Sequence, residues 1–142
     1  MAAAAEMAGD RMTLLGVTVL TSLSVTDLET TWDRSLGSIR EEVVRLAELA
    51  SEAGVGGVVA SAFETRSLRG TLGSELVIVT PGIRLGGDAT HDQARVPTPA
   101  DAADAGADFL VVGRSITRSP DPLGALQRVL GEINGPPDPD RR

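Results

Sequence analysis

The sequence contains no cysteine and no lysine. Without cysteine there is neither a disulfide framework nor a thiolate zinc site, and a cytoplasmic protein is expected. All 13 basic residues are arginines, whose guanidinium groups stay protonated. Chemistry that needs an amine of tunable pKa, such as a Schiff base or a lysine general acid, therefore lies beyond this chain alone. No apolar run approaches the eighteen or so residues of a membrane span, which speaks against an integral membrane protein. The first residues, MAAAAEMAGDRM, lack a basic start followed by an apolar stretch and are not read as a secretory signal. A net charge of −7 and a pI near 4.6 argue against a partner bound through broad contact with a phosphate backbone. Neither nucleic acid nor membrane is expected as a partner.

What is present is the material of one ordinary domain. The 142 residues are 42% hydrophobic and 23% charged, as in soluble globular proteins with a real core. Apolar, β-branched runs at Leu14–Leu20, Gly57–Ala60, Leu76–Val79 and Phe109–Val112 suit strands buried on both faces, as in a parallel sheet. Helix signals lie between them. Ser38-Ile39-Arg40-Glu41 reads as a capping box, followed by Ile39, Val43, Leu46, Ala47 and Ala50 on one helical face and a stop at Gly54. Ser61-Ala62-Phe63-Glu64 reads as a second box, opening a helix that ends near Gly73. Thr98-Pro99 and Asp121-Pro122 each set a cap before a proline, predicting helices near 99–105 and 122–133. Strand thus alternates with helix through four βα units, which means an α/β fold with right-handed crossovers and a parallel sheet. A closed (β/α)8 TIM barrel needs eight units and roughly 250 residues; four units make half of one, or an open doubly wound sheet. Residues 85–96 show no apolar period and read as a mobile loop, and 135–142 as a disordered Pro-rich tail.

The loops after the last two strands carry the chemistry. A glycine directly after a buried strand lets a ligand approach the backbone, and an adjacent arginine adds a bidentate grip on phosphate oxygens. Gly113-Arg114 fits that description, and Thr80-Pro81-Gly82-Ile83-Arg84 precedes the glycine-rich stretch. In barrels, phosphate sites commonly form from the loops after the seventh and eighth strands.

The ordered set VTVLTS (17–22), VTPGIR (79–84), Asp92-Gln93 with Arg95, Thr98-Pro99 and GRSITRSPDP (113–122) resembles the orotidine 5'-phosphate decarboxylase family. Gln93 follows Arg84 by nine positions, as in bacterial members, and GVGGVVASAFE (54–64) also matches. The resemblance covers nearly the whole chain except the tail. It implies the C-terminal half of the family's barrel over residues 1–134, and an enzyme that converts OMP to UMP and carbon dioxide in pyrimidine biosynthesis without a cofactor. It places Thr21, with Ser22, near the pyrimidine edge, Arg84 and Gln93 in the loop that closes over the phosphate, and Gly113 and Arg114 on the phosphate itself. The family's reaction leaves a carbanion that a lysine stabilises and protonates, within a Lys-Asp-Lys-Asp array that includes a D-x-K-x-x-D motif on the first three strands. No such motif occurs here, so the resemblance implies a chain that keeps the phosphate grip and is inactive alone. Its expected partners are the small-molecule substrate and either a second copy or a missing N-terminal half. A non-catalytic dimer binding nucleotide phosphates, or a sugar-phosphate enzyme of the same superfamily, are the alternatives.

Plainer readings stand beside these. Arg114 also suits a surface arginine capping a helix, Arg84 a solvated charge, Gln93 an ordinary loop residue, and Thr21 a common strand residue. His91, the one histidine, lies between Asp88 and Asp92, but no metal site is expected from it. Trp32 is read as packing, Asp101, Asp104 and Asp108 as solvated, and the alanine-rich start as a remnant helix or a frayed end.

Overall fold

A computed structural model describes residues 1–85 and 96–135. Helix α1 (Ala2–Ala8) and a 3-10 turn lead to β1 (Leu15–Val17), α2 (Val25–Trp32) and α3 (Ile39–Glu52). There follow β2 (Gly57–Val59), α4 (Ala62–Leu72), β3 (Val77–Pro81), α5 (Pro99–Asp104), β4 (Phe109–Val111), α6 (Arg114–Thr117) and α7 (Pro122–Asn134). The four strands form one sheet in the order β1-β2-β3-β4, each pair parallel.

Helix boundaries follow local chemistry. The Ser38 hydroxyl accepts from the Glu41 N–H, capping α3. Val43, Ala47 and Ala50 then turn one buried stripe toward the sheet. Ser61 caps α4 by accepting from Phe63 N–H rather than from the third residue, so the expected box there is only half a box. At α5 the box is complete: Thr98 and Asp101 each accept from the other's backbone N–H, and Pro99 occupies the first turn. Asp121 caps α7 by accepting from Gly124 N–H.

Several expectations need correction. Helix α2 lies in the stretch after the first strand where no helix was expected, opened by the reciprocal box of Ser24 and Asp27. Trp32 ends it, 38% exposed, with the Arg34 guanidinium 5.3 Å from its ring centroid. Asp101 is a cap rather than a merely solvated charge. Asp108 is not idle either: it pairs with Arg69 and accepts from Ile78 N–H at 2.7 Å. Arg69 also donates to the carbonyls of Gly106 (2.8 Å) and Leu76 (2.7 Å). One guanidinium thus ties α4 to the entry of β3 and to the turn before β4. Leu85, read as loop, is 5% exposed and packs with Ala125 and Val129 of α7.

The strands are also not covered on both faces. Val58, Ile78 and Thr80 point into the helical layer and are buried, but Leu15, Val17, Phe109 and Val111 are 42–61% exposed on the opposite face. The helices α3 and α4 pack on one side of the sheet, and nothing among the described residues covers the other.

The α2–α3 connection is held by a charged knot. Glu42, only 4% exposed, accepts from Arg45 Nη2 at 2.5 Å and pairs with Arg34 Nη2 at 2.6 Å. The Arg45 hydrogen bonds, with help from Arg34, hold the Glu42 carboxyl below its ordinary pKa against the opposing effect of burial. A carboxyl depressed in the folded state contributes stability above its unfolded pKa and loses it as pH falls through the folded value. Glu42→Gln is therefore expected to cost about 1–2 kcal/mol at pH 7. The gap to the parent in urea midpoints should narrow as the pH is taken below the ordinary glutamate range.

Candidate active site

The carboxyl ends of all four strands open into one cavity of about 720 Å³. After β1, Thr18 donates its hydroxyl to Val59 O at 2.8 Å, and a turn closed by Leu23 N–H on Leu20 O presents Thr21 and Ser22. Ser61, Phe63 and Glu64 enter from the start of α4. After β3 the chain turns at Gly82, whose φ of +80° suits glycine, and brings Arg84 to the wall. Arg84 N–H donates to Pro97 O at 3.2 Å, joining the two ends of the segment between them. Gly113, Arg114 and Ser115 close the ring after β4, while Ile39 and Val43 of α3 form part of the apolar lining.

Four of the five residues singled out in the sequence, Thr21, Arg84, Gly113 and Arg114, line this cavity together. The fifth, Gln93, lies outside the described residues, as do His91, Asp88 and Asp92. Among the described residues the cavity wall carries two guanidinium groups against one carboxylate, Glu64, an excess of positive charge in a protein of net charge −7.

Gly113 is informative because packing does not explain it. A Cβ built there would meet no atom within 4 Å. Its carbonyl accepts from Ile116 and Thr117 N–H, starting α6. A glycine that packing does not require, on a cavity wall beside an arginine, leaves room for a ligand to reach the backbone.

The chain's likeness to known proteins agrees with this geometry. A family model described as orotidine 5'-phosphate decarboxylase / HUMPS family matches residues 1–129. The chain belongs to this family. It is 49% identical over 134 residues to the orotidine 5'-phosphate decarboxylase of Nitrosomonas europaea, covering 94% of this chain and 57% of that protein. The Dictyoglomus turgidum decarboxylase is 48% identical over 120 residues, covering 84% and 49%. The crystal structure of orotidine 5'-phosphate decarboxylase from Lactobacillus acidophilus superposes with a TM-score of 0.71 at 35% identity, covering 87% of this chain and 50% of that one. The chain therefore spans about half the length of the decarboxylases it matches. Its four parallel strands with alternating helices are the α/β fold of half of such a TIM barrel.

Sequence reasoning missed Ser61, Phe63 and Glu64 as cavity residues because Ser61 and Glu64 read as a helix cap. Their position directly after a strand was the available signal, since barrel chemistry sits at strand carboxyl ends.

Proposed function

We propose that this chain is the substrate-gripping half of an orotidine 5'-phosphate decarboxylase, a carboxy-lyase, and that the group protonating the product comes from outside it. The observation carrying this reading is the meeting of Thr21, Arg84, Gly113 and Arg114 in one cavity at the strand carboxyl ends. The Arg114 guanidinium supplies a planar, permanently charged fork for the 5'-phosphate, and Gly113 N–H adds a backbone donor. Arg84 approaches the same phosphate from the segment after β3, with Gln93 assigned beside it. Thr21 offers its hydroxyl to the pyrimidine edge.

The phosphate does not react. Its binding energy is useful because it is gained far from the bond that breaks and fixes the base where the chemistry occurs. Loss of carbon dioxide leaves an electron pair on the ring carbon that must be stabilised and then protonated. An arginine holds its proton too tightly to deliver it at neutral pH, and the chain has no lysine.

Calorimetric titration with UMP and with uridine tests the grip. UMP is expected to bind about 10- to 100-fold more tightly, the worth of one or two charge-assisted hydrogen bonds. Equal affinity would remove the phosphate from the reading. Decarboxylation of orotidine 5'-phosphate by the chain alone is expected to be nil, and turnover would overturn the assignment of the proton donor to another chain or segment.

A further inference from the structure

Two threonine hydroxyls are sealed between the sheet and its helices: Thr80 on β3 and Thr65 on α4, each 0% exposed. The Thr65 hydroxyl donates to the Ser61 carbonyl at 2.9 Å, and its oxygen stands 3.4 Å from that of Thr80. A hydroxyl has a single proton to give. Thr65 commits its own to Ser61, so Thr80 is the donor within the pair. The Ser61 carbonyl also accepts from the Glu64 and Thr65 N–H groups at 3.1 Å each. The relay from Thr80 through Thr65 therefore ends on the oxygen that starts α4.

Both ends of this relay lie where the cavity begins. Thr80 is followed by Pro81, which has no N–H to donate, and by Gly82, which has open space around it. Arg84 comes two residues later, on the wall. Among the described residues, the Thr80 hydroxyl makes the last side-chain hydrogen bond of β3 before that arginine. Between them Ile83 shares a small apolar cluster with Ala62, the first residue of α4. At the helix end, Ser61, Phe63 and Glu64 line the cavity. One polar and one apolar contact thus fasten the segment that carries Arg84 to the first turns of α4.

We propose that Thr80 and Thr65 are positioning residues: their hydroxyl relay holds Arg84 in register with the α4 side of the cavity, so that the anion grip and the facing wall are set as one unit. This role rests on the phosphate reading of the cavity given above. A guanidinium fork binds two oxygens only when its plane is aimed at them, and small displacements of a gripping group weaken it. Packing alone would give the same two threonines a different signature. Valine at position 80 keeps the branched shape and loses the hydroxyl, whereas serine keeps the hydroxyl and loses a methyl. A packing role makes serine the damaging change, and the relay makes valine the damaging one. The order of donors has its own consequence. Thr80→Val strands no buried proton, because Thr65 still donates to Ser61, but Thr65→Val leaves the Thr80 hydroxyl without an acceptor.

Amide exchange of the full chain, followed by NMR without nucleotide, is the first test. The Arg84 N–H, which donates to Pro97 O, should exchange about three- to tenfold faster in Thr80→Val, the worth of one hydroxyl hydrogen bond. In Thr80→Ser it should stay within twofold of the parent. The Ile78 N–H, held by Asp108 at the other end of β3, should be unchanged in both. Urea midpoints should fall further for Thr65→Val than for Thr80→Val. In the second test, the ratio of UMP to uridine affinity should drop about three- to tenfold in Thr80→Val and recover in Thr80→Ser. Unchanged Arg84 exchange in Thr80→Val overturns the relay, and so does a serine variant that exchanges faster than the valine one. A larger midpoint loss for Thr80→Val than for Thr65→Val overturns the order of donors. Equal losses of UMP and uridine affinity overturn the positioning of Arg84 toward the phosphate. Should the parent itself bind UMP no better than uridine, the phosphate reading fails, while the exchange rates still decide the relay.

Discussion

Arg114→Ala is expected to lower UMP affinity about 10- to 100-fold while leaving uridine binding and thermal stability nearly unchanged. The side chain is exposed at the start of α6 and belongs to none of the core clusters. Its removal leaves no cavity and no buried partner unsatisfied, so the fold has little to lose. Lysine at the same position should recover only part of the affinity, since an ammonium supplies charge without the planar two-pronged geometry. Calorimetry with both ligands on the parent and both variants checks this. Equal losses for UMP and uridine would mean that Arg114 acts on the base or on the fold rather than on the phosphate.

The largest stability effect is expected at Gly57, at the start of β2. A Cβ there would stand 2.7 Å from the Val77 carbonyl oxygen, 2.8 Å from Val77 Cβ and 2.7 Å from the Leu15 side chain. Leu15 can rotate away, but the Val77 backbone is part of the β2–β3 ladder. Gly57→Ala must therefore push two paired strands apart, at a cost of about 3 kcal/mol or more. Gly131→Ala is the internal comparison: it lies in α7 with no atom within 4 Å of the added carbon. There the change should be neutral or stabilise by about 0.5–1 kcal/mol. Urea unfolding of the two variants beside the parent gives both numbers, and similar midpoints for the pair would refute the steric account.

Much of this was legible before the fold was known. The four strands, the main crossover helices and the Gly113-Arg114 pair were marked by apolar runs, caps and a strand-end glycine, whereas Thr21 and Arg84 were singled out through the family resemblance. Local signals of this kind are written within a few residues of where they act. What escaped reading depends on distance in sequence. Asp108 looked solvated because its partner Arg69 lies 39 positions away. Leu85 looked like loop because the surface that buries it, Ala125 and Val129, comes 40 and more positions later. Helix α2 was missed for a different reason: its Ser24–Asp27 box was present, but its one buried residue, Leu28, gives no periodic stripe to read. The exposed face was invisible to pattern alone, since a run such as Phe109-Leu110-Val111-Val112 looks the same whether or not a second body covers it.

The core is divided, and the division has a consequence for how the molecule breathes. The largest cluster joins Val43, Ala47, Val58, Leu68 and Ile78, holding the first three strands against α3 and α4. The region around β4 relies on two smaller clusters and on the Arg69–Asp108 clasp. Local opening is cheapest where buried contacts are fewest, so β4 and α7 are expected to open more readily than the β2–β3 centre of the sheet. Gly113 and Arg114 sit at that end. An anion held there would act as a bolt on that panel, and its concentration would set how often the panel swings open.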